Sequence, residues 1–226
     1  MSYQNAIEKF ETKINSKNPI KKNNMSKRSI ISINDKDVII KLKDWYTSAS
    51  SGNIRKGMMW YKEAQDFCKH LNEKYGIDLY ICAAVVSCLS PNNKWERNKI
   101  DAEAVIVAFI NGISPENIKV CTYNNNKLKA FRVLNGELIA ESSPKTHAFA
   151  MNVGRLSSDH ITIDKWHIRA CLCGVDEGSV DCVESITVKQ YRRIEQLTSM
   201  VAGGLGLKGY ELQAIIWVTI KEAWGR

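Results

Sequence analysis

Apolar positions recur every three to four residues from Asp35 onward, the spacing of helices that each bury one face. Val38, Ile39, Leu42, Trp45 and Tyr46 share such a face, and residues 48–52 end the segment. A second helix is predicted from about residue 55 to 75, closed by Gly76 in the left-handed conformation. Residues 79–89 are apolar almost all round, as in a central buried helix, although a strand competes because periodicity cannot decide a short apolar run. The next helix, about 95–110, stops at Asn111-Gly112, and Ser114-Pro-Glu116 supplies an N-cap, a first-turn proline and an acid for a short successor. Residues 127–134 end at Asn135-Gly136, residues 145–153 end at Gly154, and Asp164 opens another helix. A helix over 188–201 precedes the break at Gly203-Gly204-Leu-Gly206, and Leu212, Ile215, Ile216, Ile220 and Ala223 share one face of the last. With no internal repeat and no succession of alternating strands, the fold class is all-α.

Composition adds bounds to this picture. The 226 residues are 44% hydrophobic, enough for one large domain or two small lobes. No run of about 18 apolar residues is present and the N-terminus is too polar for a secretory signal, so a cytoplasmic protein without membrane contact is expected. The seven cysteines (Cys68, Cys82, Cys88, Cys121, Cys171, Cys173, Cys182) are odd in number and sit largely in apolar helical patterns, which argues against a disulfide framework. Cys171, Cys173 and Cys182 match no common zinc spacing, so neither metal nor cofactor is expected.

The formal charge of +8 invites a nucleic-acid partner, but its distribution is uneven. Residues 1–29 hold seven lysines and arginines against two glutamates, leaving only a small positive excess on the remaining body. Residues 15–29 are polar and rich in breakers, so residues 1–30 are expected to form a mobile basic tail on a helical domain spanning 31–226. Met25 is an alternative start.

The chemistry concentrates in Ile161-Thr-Ile-Asp-Lys-Trp-His-Ile-Arg-Ala170, where Asp164 stands at the end of an apolar run and the start of a helix. A short side-chain oxygen there caps the first turn, and a carboxylate so held can also serve an electron-deficient transition state. Both readings stay open for Asp164. Trp95 at helical spacing reads first as core packing and second as part of a binding pocket, and His167 as a pocket wall or a satisfied structural residue. His147 and His160 read as solvated or loop residues.

Taken in order, Val85-Val-Ser-Cys-Leu-Ser-Pro-Asn-Asn-Lys-Trp-Glu-Arg-Asn-Lys99, Lys127-Leu-Lys-Ala130, Pro144-Lys-Thr146 and Thr162-Ile-Asp-Lys-Trp-His-Ile-Arg169 resemble the helix-hairpin-helix DNA glycosylases, the endonuclease III-like superfamily. The likeness spans roughly residues 80–175, with a weaker match from Tyr191 to Trp224. It implies a two-lobed helical fold with the active site in the cleft between lobes. Asp164 matches that family's catalytic aspartate and Lys145 the lysine that attacks the sugar in bifunctional members. Lys145 suits lyase chemistry or the holding of a phosphate, and the second role is the one carried forward. Asn92 matches the residue that enters the duplex where the target base has left, and Asn93, Trp95, Trp166, His167 and Gln213 are the further candidates for pocket or wedge. Lys94, Arg97, Lys99, Thr146 and Arg169 are the candidate DNA contacts. Two departures stand out: Ala140-Glu-Ser-Ser-Pro144 replaces a glycine-rich hairpin, and no cysteine follows Cys182 to hold an iron-sulfur cluster.

The Ser-Pro-Asn-Asn-x-Trp turn, the Pro-Lys-Thr-x-x-Phe helix, the Ile-Asp-x-Trp-His segment and Gln213-Ala-Ile-Ile-Trp217 look like a divergent branch from phages and phage-defence loci. The likeness implies a monomeric enzyme that acts on double-stranded DNA containing modified bases. Its first implied activity is excision of a hypermodified base such as glucosylated hydroxymethylcytosine, leaving an abasic site. The alternatives are a transferase that adds an amine to activated hydroxymethyluracil and a DNA-binding module without catalysis.

Overall fold

A computed structural model describes residues 33–175 and 186–224, and every regular element among them is helical. The predicted basic tail and Cys182 lie outside the described residues. The helices are α1 (Asp35–Thr47), α2 (Ser51–Tyr75), α3 (Leu79–Leu89), α4 (Trp95–Ile110), α5 (Asn124–Leu134), α6 (Pro144–Val153), α7 (Lys165–Leu172), α8 (Val188–Gly204) and α9 (Gly209–Ala223), with a 3-10 turn at Pro115–Asn117.

Side-chain caps explain five of the nine helix N-termini among the described residues. The Asn34 side chain accepts the Lys36 amide at 3.0 Å, and Asp78 accepts those of Tyr80 and Ile81 at 2.8 and 3.3 Å. Thr187 and Gln190 form a reciprocal capping box at the start of α8. Gly76 closes α2 at φ 66°, donating its amide to the Asn72 carbonyl. One boundary departs from expectation. Residues 48–52 read as a terminator, yet the Ser50 hydroxyl accepts the Asn53 amide at 3.1 Å and α2 already begins at Ser51. A single serine cap outweighs the breakers, because a glycine in the first turn costs little there. Ala223, placed by its spacing on the buried face of α9, is exposed at the end of that helix.

Residues 79–89 are a helix rather than a strand because α3 is enclosed by other helices. Every residue from Cys82 to Leu89 is buried, with α2, α4, α5 and α6 packed around them. This helix is the axis of one hydrophobic core, built from α2 to α6 and including Leu71, Val85, Ile106 and Leu134. A second core joins α1, α7, α8 and α9 through Leu42, Trp45, Ile163, Ile194, Leu212 and Ile216. Each of these fully buried aliphatic side chains contributes about 2 kcal/mol.

The crossing of α2 and α9 is the most extensive helix pair and ties the two cores together. Gly57 makes it possible: a Cβ there would stand 2.5 Å from the Ile215 Cα.

Candidate active site

A cleft of about 870 Å³ opens between the two cores, bounded by the α3–α4 turn, the N-termini of α6 and α7, and the faces of α2 and α9. Its floor is formed by residues 162–164, the end of a segment 161–164 that has no strand partner among the described residues. Buried backbone groups of such a segment must be paired in another way. The Tyr191 hydroxyl accepts the Ile163 amide at 3.0 Å and donates to the Ile161 carbonyl at 2.7 Å. Glu195 accepts the Ile161 amide at 2.9 Å, Asn152 donates to the His160 carbonyl at 2.7 Å, and the Thr162 hydroxyl donates back to Asn152 at 2.9 Å. Side chains from α6 and α8 thus clamp the residues that deliver Asp164.

Asp164 is the N-cap of α7, its Oδ1 accepting the His167 amide at 2.9 Å. The carboxyl is surrounded by protein while keeping part of its surface open to the cleft. Burial raises its pKa above the usual carboxylate range. The Lys145 charge and the amides of His167 and Trp166 oppose that rise. Lys145 and Thr146 occupy the first turn of α6 after Pro144, and the Ser87 hydroxyl fastens this turn to α3 by donating to the Thr146 carbonyl at 2.7 Å.

The walls are aromatic. The ring of Trp60, half-buried, lies 5.4 Å from Trp95, 6.0 Å from Phe149 and 5.9 Å from Trp217 between centroids. Beside it the buried Tyr61 hydroxyl donates to Gln213 at 2.9 Å, and burial holds the Tyr61 phenol well above its ordinary pKa. Trp166 joins the lining from α7. A ring of flat, apolar faces with a few polar groups among them is what a heteroaromatic ligand requires.

At the rim, the turn between α3 and α4 presents Asn92 in the left-handed region at φ 55°, a conformation that asparagine tolerates better than most residues. Its amide donates to the hydroxyl of Tyr123, an exposed aromatic from the segment before α5. Asn93 is spent on structure: its amide donates to the buried Asp101 carboxylate at 2.9 Å, which also accepts the Cys121 amide at 2.7 Å.

The sequence candidates therefore divide. Asp164, Lys145, Thr146, Asn92, Asn93, Lys94, Trp95, Trp166 and Gln213 line the cleft together. His167 does not, because its Nε2 is held 2.9 Å from the Thr198 hydroxyl inside the second core, and burial pushes its imidazole down to about 3. The Thr198 hydroxyl donates to the Ile194 carbonyl, so the His167 ring donates from Nε2 and is neutral. Arg169 is buried with its guanidinium 4.9 Å over the Trp166 ring, which removes it from a DNA-facing surface. Arg97 is tied to Asp101 at 2.9 Å and Lys99 to Glu96 at 2.8 Å, and neither lines the cleft. His160 lies in the loop after α6, as read, whereas His147 lies within α6, and the two rings are half-buried against one another at 5.0 Å, burial lowering the His147 pKa.

Trp60, Tyr61 and Lys221 line the cleft without having been singled out in the sequence, and Phe149, Lys165 and Trp217, which stand in its motifs without an assigned role, line it too. Asn152 and Glu195 carried a usable signal, as polar residues on otherwise apolar helix faces. Among the described residues no group of three or more histidine, cysteine or acidic side chains could hold a metal ion. Cys171 is a buried free thiol whose pKa burial raises, whereas Cys173 is disulfide-bonded. No helix among the described residues is long and apolar enough to cross a membrane.

Residues 24–224 match the Family of unknown function (DUF7178). No curated protein and no solved structure matches the chain.

Proposed function

We propose that this chain, which belongs to the DUF7178 family, is a DNA base glycosylase that excises a modified base. The observation that carries the reading is the Asp164 carboxylate on the floor of an aromatic-walled cleft, with the Lys145 charge close enough to oppose the effect of its burial. Breaking an N-glycosidic bond builds positive charge on the sugar, and a carboxylate fixed beside it stabilises that charge or orients water. In the proposed step a water oxygen bonds to C1′ while the C1′–N bond breaks. The base leaves with the electron pair and is protonated.

The surroundings suit this chemistry. A flipped base needs stacking faces, which Trp60, Trp95 and Trp217 offer, and polar groups for its edge, which Gln213 offers. Asn92 and Tyr123 at the rim suit the space that the base vacates. The cleft volume exceeds the needs of a bare nucleobase and leaves room for a bulky substituent. The presence of two hydrophobic cores flanking the cleft is compatible with the two-lobed arrangement of this reading. Lys145 is exposed at a helix N-terminus, and its proposed role is to hold a phosphate next to Asp164.

The test is to incubate the protein alone with genomic DNA from a panel of phages carrying modified bases, and to identify released bases by mass spectrometry. A free modified base is expected, with strand breaks appearing only after alkali. A covalent protein–DNA species trapped by borohydride would overturn the Lys145 role. Base gain from an added amine on an intact strand would favour the transferase, and unaltered DNA throughout the panel would overturn glycosylase activity.

A further inference from the structure

A second cavity of about 740 Å³ adjoins the cleft and shares Trp60, Trp217 and Lys221 with it. Its floor is the α2–α9 crossing that Gly57 permits. On α2, Lys56 lies four residues before Trp60, and on α9, Lys221 lies four residues after Trp217, so each tryptophan shares a helix face with a cation. The Lys221 ammonium stands 4.1 Å over the Trp217 ring, and the Trp60 and Trp217 rings form the partition between the two cavities. Arg55 and Met59 complete the near wall.

The pairing of charges distinguishes these cations from others on the same helix. Further along α2, Lys62 pairs with Asp66 at 2.7 Å and Lys69 with Glu73 at 3.4 Å, both at four-residue spacing. Arg55 and Lys56 have Met59 and Trp60 at that spacing instead. Among the described residues neither they, nor Lys221, nor Lys94, Lys145 and Lys165 in the cleft, make an ion pair within 4 Å. Among the described residues the linings of the two cavities thus hold six cations outside any ion pair, against the carboxylates of Asp164, Glu63 and Glu222.

We propose that this second cavity binds the DNA strand flanking the flipped nucleotide, with Arg55, Lys56 and Lys221 on its phosphates and Met59 and Trp217 against its deoxyriboses. Glu63 and Glu222 repel phosphate and bound the path on their side. The assignment rests on the glycosylase reading for the nature of the ligand, and it places a DNA track on the α2–α9 groove.

Removing one cation from a duplex phosphate makes the dependence of log K on log salt shallower by roughly 0.9. The experiment measures that slope for the full chain on one duplex, comparing wild type with the Arg55→Ala/Lys56→Ala/Lys221→Ala variant and with Lys62→Ala/Lys69→Ala. The expected result is a slope shallower by about 2 to 3 in the triple variant and unchanged in the ion-paired control. The basic N-terminal segment is common to all three proteins and cancels. Arg55→Lys/Lys56→Arg should restore most of the slope that Arg55→Ala/Lys56→Ala forfeits, which separates a missing charge from a damaged fold. A triple variant whose slope equals wild type, on DNA that wild type binds, overturns the proposed path while leaving the glycosylase reading intact. Wild-type protein that binds no DNA at any salt overturns both.

Discussion

The Oδ1 atom of Asp164 accepts the His167 backbone amide at 2.9 Å, so one carboxylate both caps α7 and supplies the ionisable group on the cleft floor. The two roles separate by substitution. Asparagine caps a helix about as well as aspartate, whereas alanine forfeits roughly 1 kcal/mol. Asp164→Asn is therefore expected to stay folded and to lose base release by on the order of 100-fold or more, and Asp164→Ala to lose both activity and stability. A folded Asp164→Asn protein with near wild-type rate would sink the assignment. Because burial raises the Asp164 pKa, the native state binds its proton more readily than the unfolded chain. Its contribution to stability consequently falls as pH rises from the ordinary carboxylate range through the raised value. Denaturation of both proteins at several pH values should show Asp164→Asn gaining on wild type over that window.

His167 predicts the opposite slope. Buried and neutral, it keeps its pKa at about 3, against 6.5 for the unfolded chain, so the unfolded state takes up a proton first as pH falls. Stability from this group is complete above pH 6.5 and is lost toward pH 3, at up to about 1.4 kcal/mol per pH unit. His167→Gln keeps a donor for the Thr198 hydroxyl but cannot titrate. Urea unfolding between about pH 4 and 7, inside that window, should give a flatter profile for the variant, and identical steepness would remove His167 as the source.

Two glycines on α2 should respond oppositely to alanine. At Gly52, in the first turn, a Cβ would meet only the Ser50 hydroxyl at 3.6 Å, so Gly52→Ala is expected to stabilise slightly, by about 0.5 kcal/mol or less. At Gly57 the added atom would run into the Ile215 backbone, and Gly57→Ala is expected to cost about 1–3 kcal/mol by forcing the helices apart. Thermal melts of the two variants would check the sign, and a neutral Gly57→Ala would show that the crossing is not tightly packed.

The features legible along the chain are those that depend on near neighbours. The glycine stop at Gly76, the breaks at Asn111-Gly112 and Asn135-Gly136 and the 3.6-residue apolar spacing announce the helices, because each acts within about one turn of the same segment. Asp164 was legible for the same reason, being the residue where an apolar run gives way to a helix. Which side chains share the cleft is settled only by packing. Trp60 meets Trp217, and Tyr61 meets Gln213, across more than 150 residues of chain, distances over which no local pattern carries information. Packing also withdrew candidates from the surface: the second core takes in His167, and Arg169 is buried against the Trp166 ring. A charge or ring is read from sequence as a chemical capacity; whether it faces a ligand or a neighbour depends on which helices pack together, and that follows from the hydrophobic burial of the whole chain.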